Sequence, residues 1–332
     1  LDTSFFVRPS HTQQRGDPDK ALASAPHRLK GEINVGGQEH FYLEGQVAMV
    51  EPLEDGGMFV HTSSQHPSEV QKLVAEVLGL PIHAVQAEVR RMGGGFGGRE
   101  TQAAALGCVS ALLAQVTGKP IKYRLSRPDD MVQTGKRHDF FNTYDIGFDD
   151  QGLIQGAEIM VAGRCGFSPD LSNAIVERAM FHSDNSYFLD QARVTGHCCK
   201  THTVSNTAFR GFGGPQGMMV IEQAVDDIAR HLQLDPLDVR KHNLYRPGRD
   251  TTAKPDPQAW AGADAGQVRY LLYRQASEPG RRFGVDLHRR QPACEPWRHR
   301  DGSGPVYQDR AGSGGGLPGG CGQGQGIGHA YR

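Results

Sequence analysis

The chain has 332 residues, a formal net charge of −1, and charged residues at 22% of its positions. This length permits one large domain or two ordinary ones, and the balanced charge gives no global field that favours nucleic acid or an anionic membrane. No apolar run approaches the ~20 residues that a membrane span needs, and the first ten residues do not resemble a signal peptide. We therefore expect a soluble, cytoplasmic protein.

Cysteine usage favours reduced thiols over a disulfide scaffold. Six cysteines are spread along the chain without a CxxC pair, whereas disulfide scaffolds are shorter and richer in cysteine. Cys198 and Cys199 are adjacent, but neighbouring side chains in a strand point to opposite faces. We therefore interpret this pair as structural.

The first half of the chain predicts a connector followed by mixed elements. Residues 1–30 are polar and predict an irregular connector from an upstream domain. The apolar positions of EVQKLVAEVLGL have helical spacing, and Gly79 ends that helix. AVQAEVRRM then alternates like a strand, MGGGFGG is incompatible with regular structure, and TQAAALGCVSALLAQVTG predicts a buried helix.

The second half predicts further strands and helices up to residue 245. Three segments are predicted to be strands, namely PIKYRLSR, TYDIGF and LIQGAEIMVAG. A turn at residues 149–152 is predicted between the last two. One helical face follows from Met218 to Leu232, and Asp235 caps a short helix through Asn243. Without strict alternation of strands and helices, we expect an α+β domain over residues 31–245.

Residues 246–332 differ in composition from the rest. They hold 12 arginines against one lysine and are rich in glycine and proline, so they can bury little apolar surface against the entropy cost of ordering. A disordered basic tail and a coding sequence read out of frame both fit this composition. We favour the frame error, because the arginine excess is not organised in repeats.

Two glycine-rich stretches are candidate ligand loops. Residues 93–98 read GGGFGG, in which main-chain amides can approach a ligand closely. Residues 206–216 read NTAFRGFGGPQ, where Arg210 can bind an anion and Phe212 can stack on a flat ligand. Neither stretch fits a Walker A or GxGxxG motif. Each precedes a helix, which suggests one composite site.

Four stretches together resemble the molybdenum-binding subunit of xanthine dehydrogenases, in the molybdenum hydroxylase family that also contains aldehyde oxidases. They are GGQEHFYLEGQ, RRMGGGFGGRET, VERAMFHSDNSY and SNTAFRGFGGPQGM, in family order within residues 25–250. The resemblance implies a molybdenum–molybdopterin cofactor and the α+β fold of that domain.

The resemblance also implies roles for residues around the metal. Gln65 occupies the place of a glutamine whose amide hydrogen-bonds an oxygen ligand of molybdenum. Phe96 and Gly97 correspond to loop positions facing the metal centre, and Arg210 to an arginine beside it. These residues are expected to surround the cofactor without bonding directly to the metal.

Three further positions imply purine recognition. Glu100 and Arg178 match the pair that hydrogen-bonds a purine from two sides, and Phe212 matches an aromatic that stacks on the substrate. Aldehyde oxidases tend to carry apolar residues in place of the charged pair. We therefore expect hypoxanthine and xanthine as substrates, although without the resemblance a structural ion pair between Arg178 and Glu177 would be favoured.

The family's general base is expected to be absent from this chain. In the family a glutamate near the far C-terminus removes the proton, and no glutamate follows Glu295 here. No residue of the chain is therefore expected to act as the catalytic base, and we expect an incomplete, inactive fragment.

The resemblance implies redox partners as well. Electrons would leave to a partner subunit that carries 2Fe–2S clusters and FAD, within a heterotetramer, with NAD as final acceptor. The chain itself lacks the four-cysteine spacings of a cluster. An aldehyde-oxidase-type hydroxylase, and a binding module whose arginine- and glycine-rich tail contacts RNA, are the alternatives.

Overall fold

The computed structural model describes residues 5–245, which form two β-sheets with helices packed against them. Nine strands lie in this part of the chain, namely β1 (His11–Arg15), β2 (His27–Val35), β3 (Val47–Pro52), β4 (Met58–Thr62), β5 (Val85–Glu88), β6 (Ile121–Arg124), β7 (Phe140–Phe148), β8 (Ile154–Gly166) and β9 (Ala192–Lys200). The same residues hold seven α-helices, namely α1 (Pro18–Ser24), α2 (Pro67–Leu78), α3 (Gln102–Thr117), α4 (Arg127–Gln133), α5 (Ser172–Phe181), α6 (Gly214–Leu232) and α7 (Pro236–Asn243). The predicted α+β class is confirmed.

The strand order shows how distant parts of the chain meet. The larger sheet has the order β1-β9-β8-β7-β2, and the smaller sheet has the order β5-β4-β3-β6. Pairing is parallel between β8 and β9 and between β4 and β5, and antiparallel between the other neighbours. The turn predicted at residues 149–152 joins β7 to β8, and Oδ1 of Asp149 accepts hydrogen bonds from the amides of Gln151 and Leu153, both at 2.9 Å.

The main core lies between the larger sheet and helices α5 and α6. Ile146 and Phe148 of β7 are fully buried, and they meet the apolar face of α6. Ile221, Val225 and Ile228 step by three and four along that face and are also buried, as their spacing predicts. Each such side chain contributes about 1.5–3 kcal/mol by burial.

A second core lies between the smaller sheet and helices α2 and α3. Gly107 of α3 faces Val70 and Val74 of α2, and a Cβ at this glycine would lie 3.1 Å from a Val70 methyl group. Small residues thus let the two helices approach closely. Gly79 ends α2 with a φ of +66°, as the sequence predicts.

Residues 11–24 are ordered where the sequence predicts an irregular connector. Asp17 caps α1 by accepting a hydrogen bond from the Lys20 amide at 3.1 Å, and Pro18 takes the first helical position. Strand β1 pairs with β9, and all five of its residues are exposed. An exposed edge strand has no apolar alternation, so its partner could not be recognised from local sequence.

The domain boundaries after residues 30 and 245 stay predictions, and the interpretations made for residues 246–332 lie outside the described residues. Within residues 5–245, no helix is long and apolar enough to cross a membrane.

One buried side chain joins α7 to the β7–β8 turn. Nδ2 of Asn243 donates hydrogen bonds to the carbonyl oxygens of Gly152 and Val239, each at 2.8 Å. Its Oδ1 accepts from the Ile154 amide at 2.9 Å. All of these groups lose water on folding, so their pairing is required for stability.

Asn243→Ala is expected to lower the free energy of unfolding by about 2–4 kcal/mol, because it leaves buried main-chain groups unpaired. Urea denaturation measures this loss. Asn34→Ala, at an exposed position of β2, is the matched control and should change stability by less than about 0.5 kcal/mol. Equal losses in both variants would contradict the role of Asn243.

Candidate functional site

Two glycine loops lead into helices of the two cores. The first glycine loop, residues 93–98, precedes α3, and the second glycine loop, residues 206–213, joins β9 to α6. Each contains an aromatic residue with a positive φ, Phe96 at 52° and Phe212 at 49°. Such backbone conformations are uncommon for bulky residues, and they concentrate at ligand sites. The same unusual conformation therefore occurs in both stretches that the sequence singles out.

The two glycine loops are in main-chain contact. The amide of Arg210 donates a hydrogen bond to the carbonyl oxygen of Phe96 at 2.8 Å. Gly97 has a φ of +98°, and a Cβ there would lie 2.8 Å from the carbonyl group of Ala208. Glycine at position 97 is thus required by its backbone conformation and by the close approach of the second loop.

Gln65 is bound to the first glycine loop through its side-chain oxygen. Oε1 accepts hydrogen bonds from the amides of Gly97 at 2.9 Å and Arg99 at 3.3 Å, and the Gln65 amide donates to the Arg99 carbonyl at 2.9 Å. Two amide donors require an acceptor, which fixes the orientation of the side-chain amide. Within residues 5–245, the NH₂ group of Gln65 is left without a partner and can donate to a ligand.

The side chains of Phe96 and Arg210 remain accessible where the two loops meet. The Phe96 ring is 50% exposed, and the Arg210 side chain is exposed. Gln65 is also exposed. The structure therefore brings together all four residues expected around the cofactor, with Gly97 providing the contact between the loops.

Glu100 directly follows the first glycine loop. It is half-buried, and its amide donates to the carbonyl oxygen of Gly97 at 3.3 Å. Burial raises the pKa of its carboxyl group, and the negative charges of Asp170 and Glu69 raise that pKa further, whereas His66 opposes them. Among the described residues, no hydrogen bond to the carboxyl group lowers its pKa. A raised pKa without a stabilising partner is typical of carboxyl groups at functional sites.

Arg178 lies on α5 and is exposed. Among residues 5–245, Arg178 forms no ion pair with Glu177. Oε1 of Glu177 lies instead 3.0 Å from Nδ2 of Asn173 and 3.0 Å from Nδ1 of His11. Helix α5 packs against the end of the second glycine loop, since a Cβ at Gly213 would collide with the Ile175 carbonyl. Arg178 is therefore on the helix next to that loop.

In the described part of the chain, Phe212, Glu100 and Arg178 are not joined to one another by contacts of the kind that link Gln65, Phe96, Gly97 and Arg210. Phe212 is half-buried and packs against the main core. Among residues 5–245, no ion pair joins Glu100 to Arg178. They are near different loops, Glu100 beside the first and Arg178 beside the second.

Sequence reasoning missed Arg99, which is fully buried behind the first glycine loop. Its guanidinium hydrogen-bonds to Oε1 of Glu44 at 3.2 Å and to the carbonyl oxygen of Ser63 at 3.1 Å, and it lies 4.5 Å from the Tyr42 ring centroid. Oε2 of Glu44 accepts from the Gly93 amide at 2.9 Å. The available signal was an arginine directly after a glycine run, in a segment otherwise incompatible with regular structure.

A second buried network supports the same loop. Nε2 of Gln46 donates to the carbonyl oxygen of Gly98 at 2.9 Å and to the Tyr42 hydroxyl at 3.0 Å. Tyr42 in turn donates to Asp130 at 2.8 Å. Burial, together with the hydrogen bond to Asp130, raises the pKa of Tyr42 to about 12, so the hydroxyl remains a donor at neutral pH. The first glycine loop is thus held from beneath by fixed polar groups.

The adjacent cysteines Cys198 and Cys199 lie at the end of β9. Cys198 is buried in β9 and its neighbour Cys199 is half-buried. Across residues 5–245, no group of three or more histidine, cysteine, aspartate or glutamate side chains is arranged to hold a metal ion. The contacts at the loop junction are instead made by main-chain amides, a carboxamide and a guanidinium.

A family of known proteins matches most of this chain. The family described as the molybdopterin cofactor-binding domain matches residues 4–244 of this chain. The xanthine dehydrogenase/oxidase of Gallus gallus is 43% identical over 249 residues, which are 75% of this chain and 18% of that protein. Aldehyde oxidase 2 of Cavia porcellus is 38% identical over 298 residues, 90% of this chain and 22% of that protein. The chain thus spans about a fifth of the length of these relatives.

A solved structure shares the fold. The aldehyde oxidoreductase from Desulfovibrio gigas superposes with a TM-score of 0.69 at 25% identity, covering 82% of this chain and 30% of that one. The described fold is therefore that of a molybdenum hydroxylase domain.

Gly97→Ala is expected to cost about 2–4 kcal/mol of stability, because it combines a strained positive φ with a collision against the second glycine loop. Gly118→Ala is the matched control, since Gly118 has a φ of +63° but nothing within 4 Å of a Cβ. The control should lose only about 1 kcal/mol. Denaturant unfolding of both variants measures the difference, and equal losses would mean that the loops do not approach closely at Gly97.

Proposed function

The chain belongs to the molybdopterin cofactor-binding domain family, and we propose that it forms one wall of the molybdenum-cofactor site of a xanthine dehydrogenase. The parent enzyme would hydroxylate hypoxanthine and xanthine oxidatively to urate, with water as the oxygen source. Electrons would pass to a partner subunit with 2Fe–2S clusters and FAD, and NAD would be the final acceptor. We place this enzyme in the cytoplasm, as a heterotetramer.

The junction of the two glycine loops carries the proposal. The hydrogen bond from the Arg210 amide to the Phe96 carbonyl brings the free NH₂ group of Gln65, the accessible Phe96 ring and the Arg210 guanidinium to neighbouring positions. A donor amide and a cation suit a cofactor that carries anionic oxygen atoms. The residues present therefore fit the cofactor that the family binds. Gln65, the loop amides and Arg210 would hold that cofactor.

When bound, the molybdenum cofactor supplies the redox chemistry of the hydroxylation. The residues of this chain would orient the reactants. Gln65 would donate a hydrogen bond from its NH₂ group to the cofactor, and the glycine loops would let the main chain approach the cofactor without side-chain interference. Phe96 would limit water access beside them.

Purine recognition is proposed for Glu100 and Arg178. Glu100 would accept a hydrogen bond from a purine N–H, and burial, which raises the pKa of its carboxyl group, would strengthen its preference for such a donor. Arg178, unpaired with Glu177, would stabilise negative charge that develops on the ring. Phe212 would stack on the ring face.

An aldehyde-oxidase-type hydroxylase is the second candidate. The match to aldehyde oxidase 2 covers 90% of this chain, more than the match to the xanthine dehydrogenase/oxidase of Gallus gallus. The charged residues Glu100 and Arg178 favour a purine over an apolar aldehyde, because a ligand without polar groups would leave them unpaired. The RNA-binding alternative rests on residues 246–332, outside the described residues.

Glu100→Ala is expected to lower kcat/KM for hypoxanthine roughly ten- to hundredfold in a full-length enzyme that carries this sequence, since one charged hydrogen bond is lost. Activity on a small aromatic aldehyde should change little. Steady-state kinetics on both substrates measures the selectivity. Glu76→Ala is the matched control, because Glu76 is an exposed carboxylate of α2 that pairs with Lys72 at 3.7 Å, and it should leave both activities unchanged.

Equal losses on both substrates would assign Glu100 a structural role. A preference of the unsubstituted enzyme for the aldehyde would instead support the second candidate.

A further inference from the structure

A buried arginine lies beneath the second glycine loop without a carboxylate partner. Arg137 is 8% exposed, and among residues 5–245 no carboxylate oxygen lies within 4 Å of its guanidinium nitrogens. Buried arginines are normally paired with an acidic group, because desolvating an uncompensated charge is costly. Burial lowers the pKa of Arg137. Its retention in the interior therefore requires an explanation from its actual contacts.

Those contacts are with the second glycine loop. Nη2 of Arg137 donates to the carbonyl oxygen of Arg210 at 2.8 Å, and the guanidinium carbon lies 4.0 Å from the Phe209 ring centroid. Nη1 donates to Oε1 of the buried Gln216, at the start of α6, at 3.4 Å. One planar group thus holds a loop carbonyl, a loop ring and the helix that follows the loop.

A buried histidine holds the preceding loop residue. Nε2 of His40 lies 2.7 Å from the carbonyl oxygen of Ala208, and its ring lies 4.7 Å from the Phe209 ring. The same His40 ring is against the first glycine loop, since a Cβ at Gly98 would lie 2.7 Å from it. Phe209 therefore contacts both His40 and Arg137, which links the two glycine loops through side chains.

We infer that Arg137 is a positioning residue of the proposed cofactor site, which fixes the Arg210 carbonyl and thereby the direction of the Arg210 side chain. The main-chain hydrogen bond from the Arg210 amide to Phe96 fixes the other side of the same residue. With its amide and its carbonyl both held, Arg210 has little backbone freedom. This inference rests on the proposed function only for the identity of the ligand. The geometry of the loop does not depend on the proposed function.

Lysine cannot replace this arginine. A lysine keeps the positive charge, but its single ammonium group cannot bond to the loop carbonyl, contact the Phe209 ring face and reach Gln216 together. Arg137→Lys therefore separates geometry from charge, and Arg137→Met removes both. His40→Gln, which retains a side-chain donor, tests the second contact.

The experiment is hydrogen exchange by mass spectrometry on the 332-residue chain. Peptides covering residues 205–212 should exchange roughly ten- to hundredfold faster in Arg137→Met, in line with the loss of a charged hydrogen bond. Arg137→Lys should also exchange faster, and peptides of β7 and β8 should not change in either variant. His40→Gln should exchange more slowly than His40→Leu.

Arg28→Met is the matched control, because Arg28 forms two hydrogen bonds with a carboxylate, Asp145, at the edge of the larger sheet. It should leave the loop peptides unchanged. Three results would overturn the inference: unchanged loop exchange in both Arg137 variants, full restoration by lysine, or equal acceleration in loop and sheet. If Arg137→Met does not fold, Arg137→Lys tests the inference alone: faster exchange confined to the loop supports it, and unchanged loop exchange overturns it.

Metal content separates this inference from the proposed function. In a full-length enzyme, Arg137→Lys should lower the molybdenum retained after gel filtration. Full retention would contradict the positioning role. An unsubstituted full-length enzyme without molybdenum would instead contradict the proposed function and leave the loop result intact.

Discussion

The main-chain contact between the two glycine loops is the constraint on which the candidate site depends. The Arg210 amide reaches the Phe96 carbonyl only because Gly97 has no side chain to keep Ala208 at a distance. The first loop follows the smaller sheet, and the second follows the larger sheet. Their contact therefore joins the two cores at the place where the accessible side chains of Gln65 and Arg210 lie.

Buried charge supports this contact from behind. Arg99 lies beneath the first loop with Glu44 as its acidic partner, whereas Arg137 lies beneath the second loop and binds carbonyl groups and an aromatic ring. The pKa of Glu44 is lowered: its burial acts to raise it, but hydrogen bonds from Ser63 and the Gly93 amide and the charge of Arg99 outweigh that effect. Such buried polar networks stabilise one arrangement only when their members are paired. They specify the loop conformations rather than adding bulk stability.

Elements with local periodicity could be predicted from sequence, and contacts between distant segments could not. Helices α2 and α6 and the β7–β8 turn follow from spacing within a short window. Strand β1 is exposed on every residue, and α5 mixes polar and apolar positions, so neither has a clear pattern. The two glycine loops were recognised by composition and by family resemblance. The roles of Arg99, Arg137 and His40 depend on partners far away in sequence, which no local pattern encodes.

We propose that the two glycine loops supply one wall of the molybdenum-cofactor site and that the chain needs the rest of the enzyme to hold the cofactor. The most direct test is molybdenum analysis of the purified 332-residue chain, expressed with cofactor-synthesis machinery and the partner subunit. We expect molybdenum far below one atom per chain and no urate from xanthine, because the chain spans about a fifth of its relatives' length and one wall of a pocket cannot exclude water or preorganise the site. Near-stoichiometric molybdenum together with urate formation would contradict it.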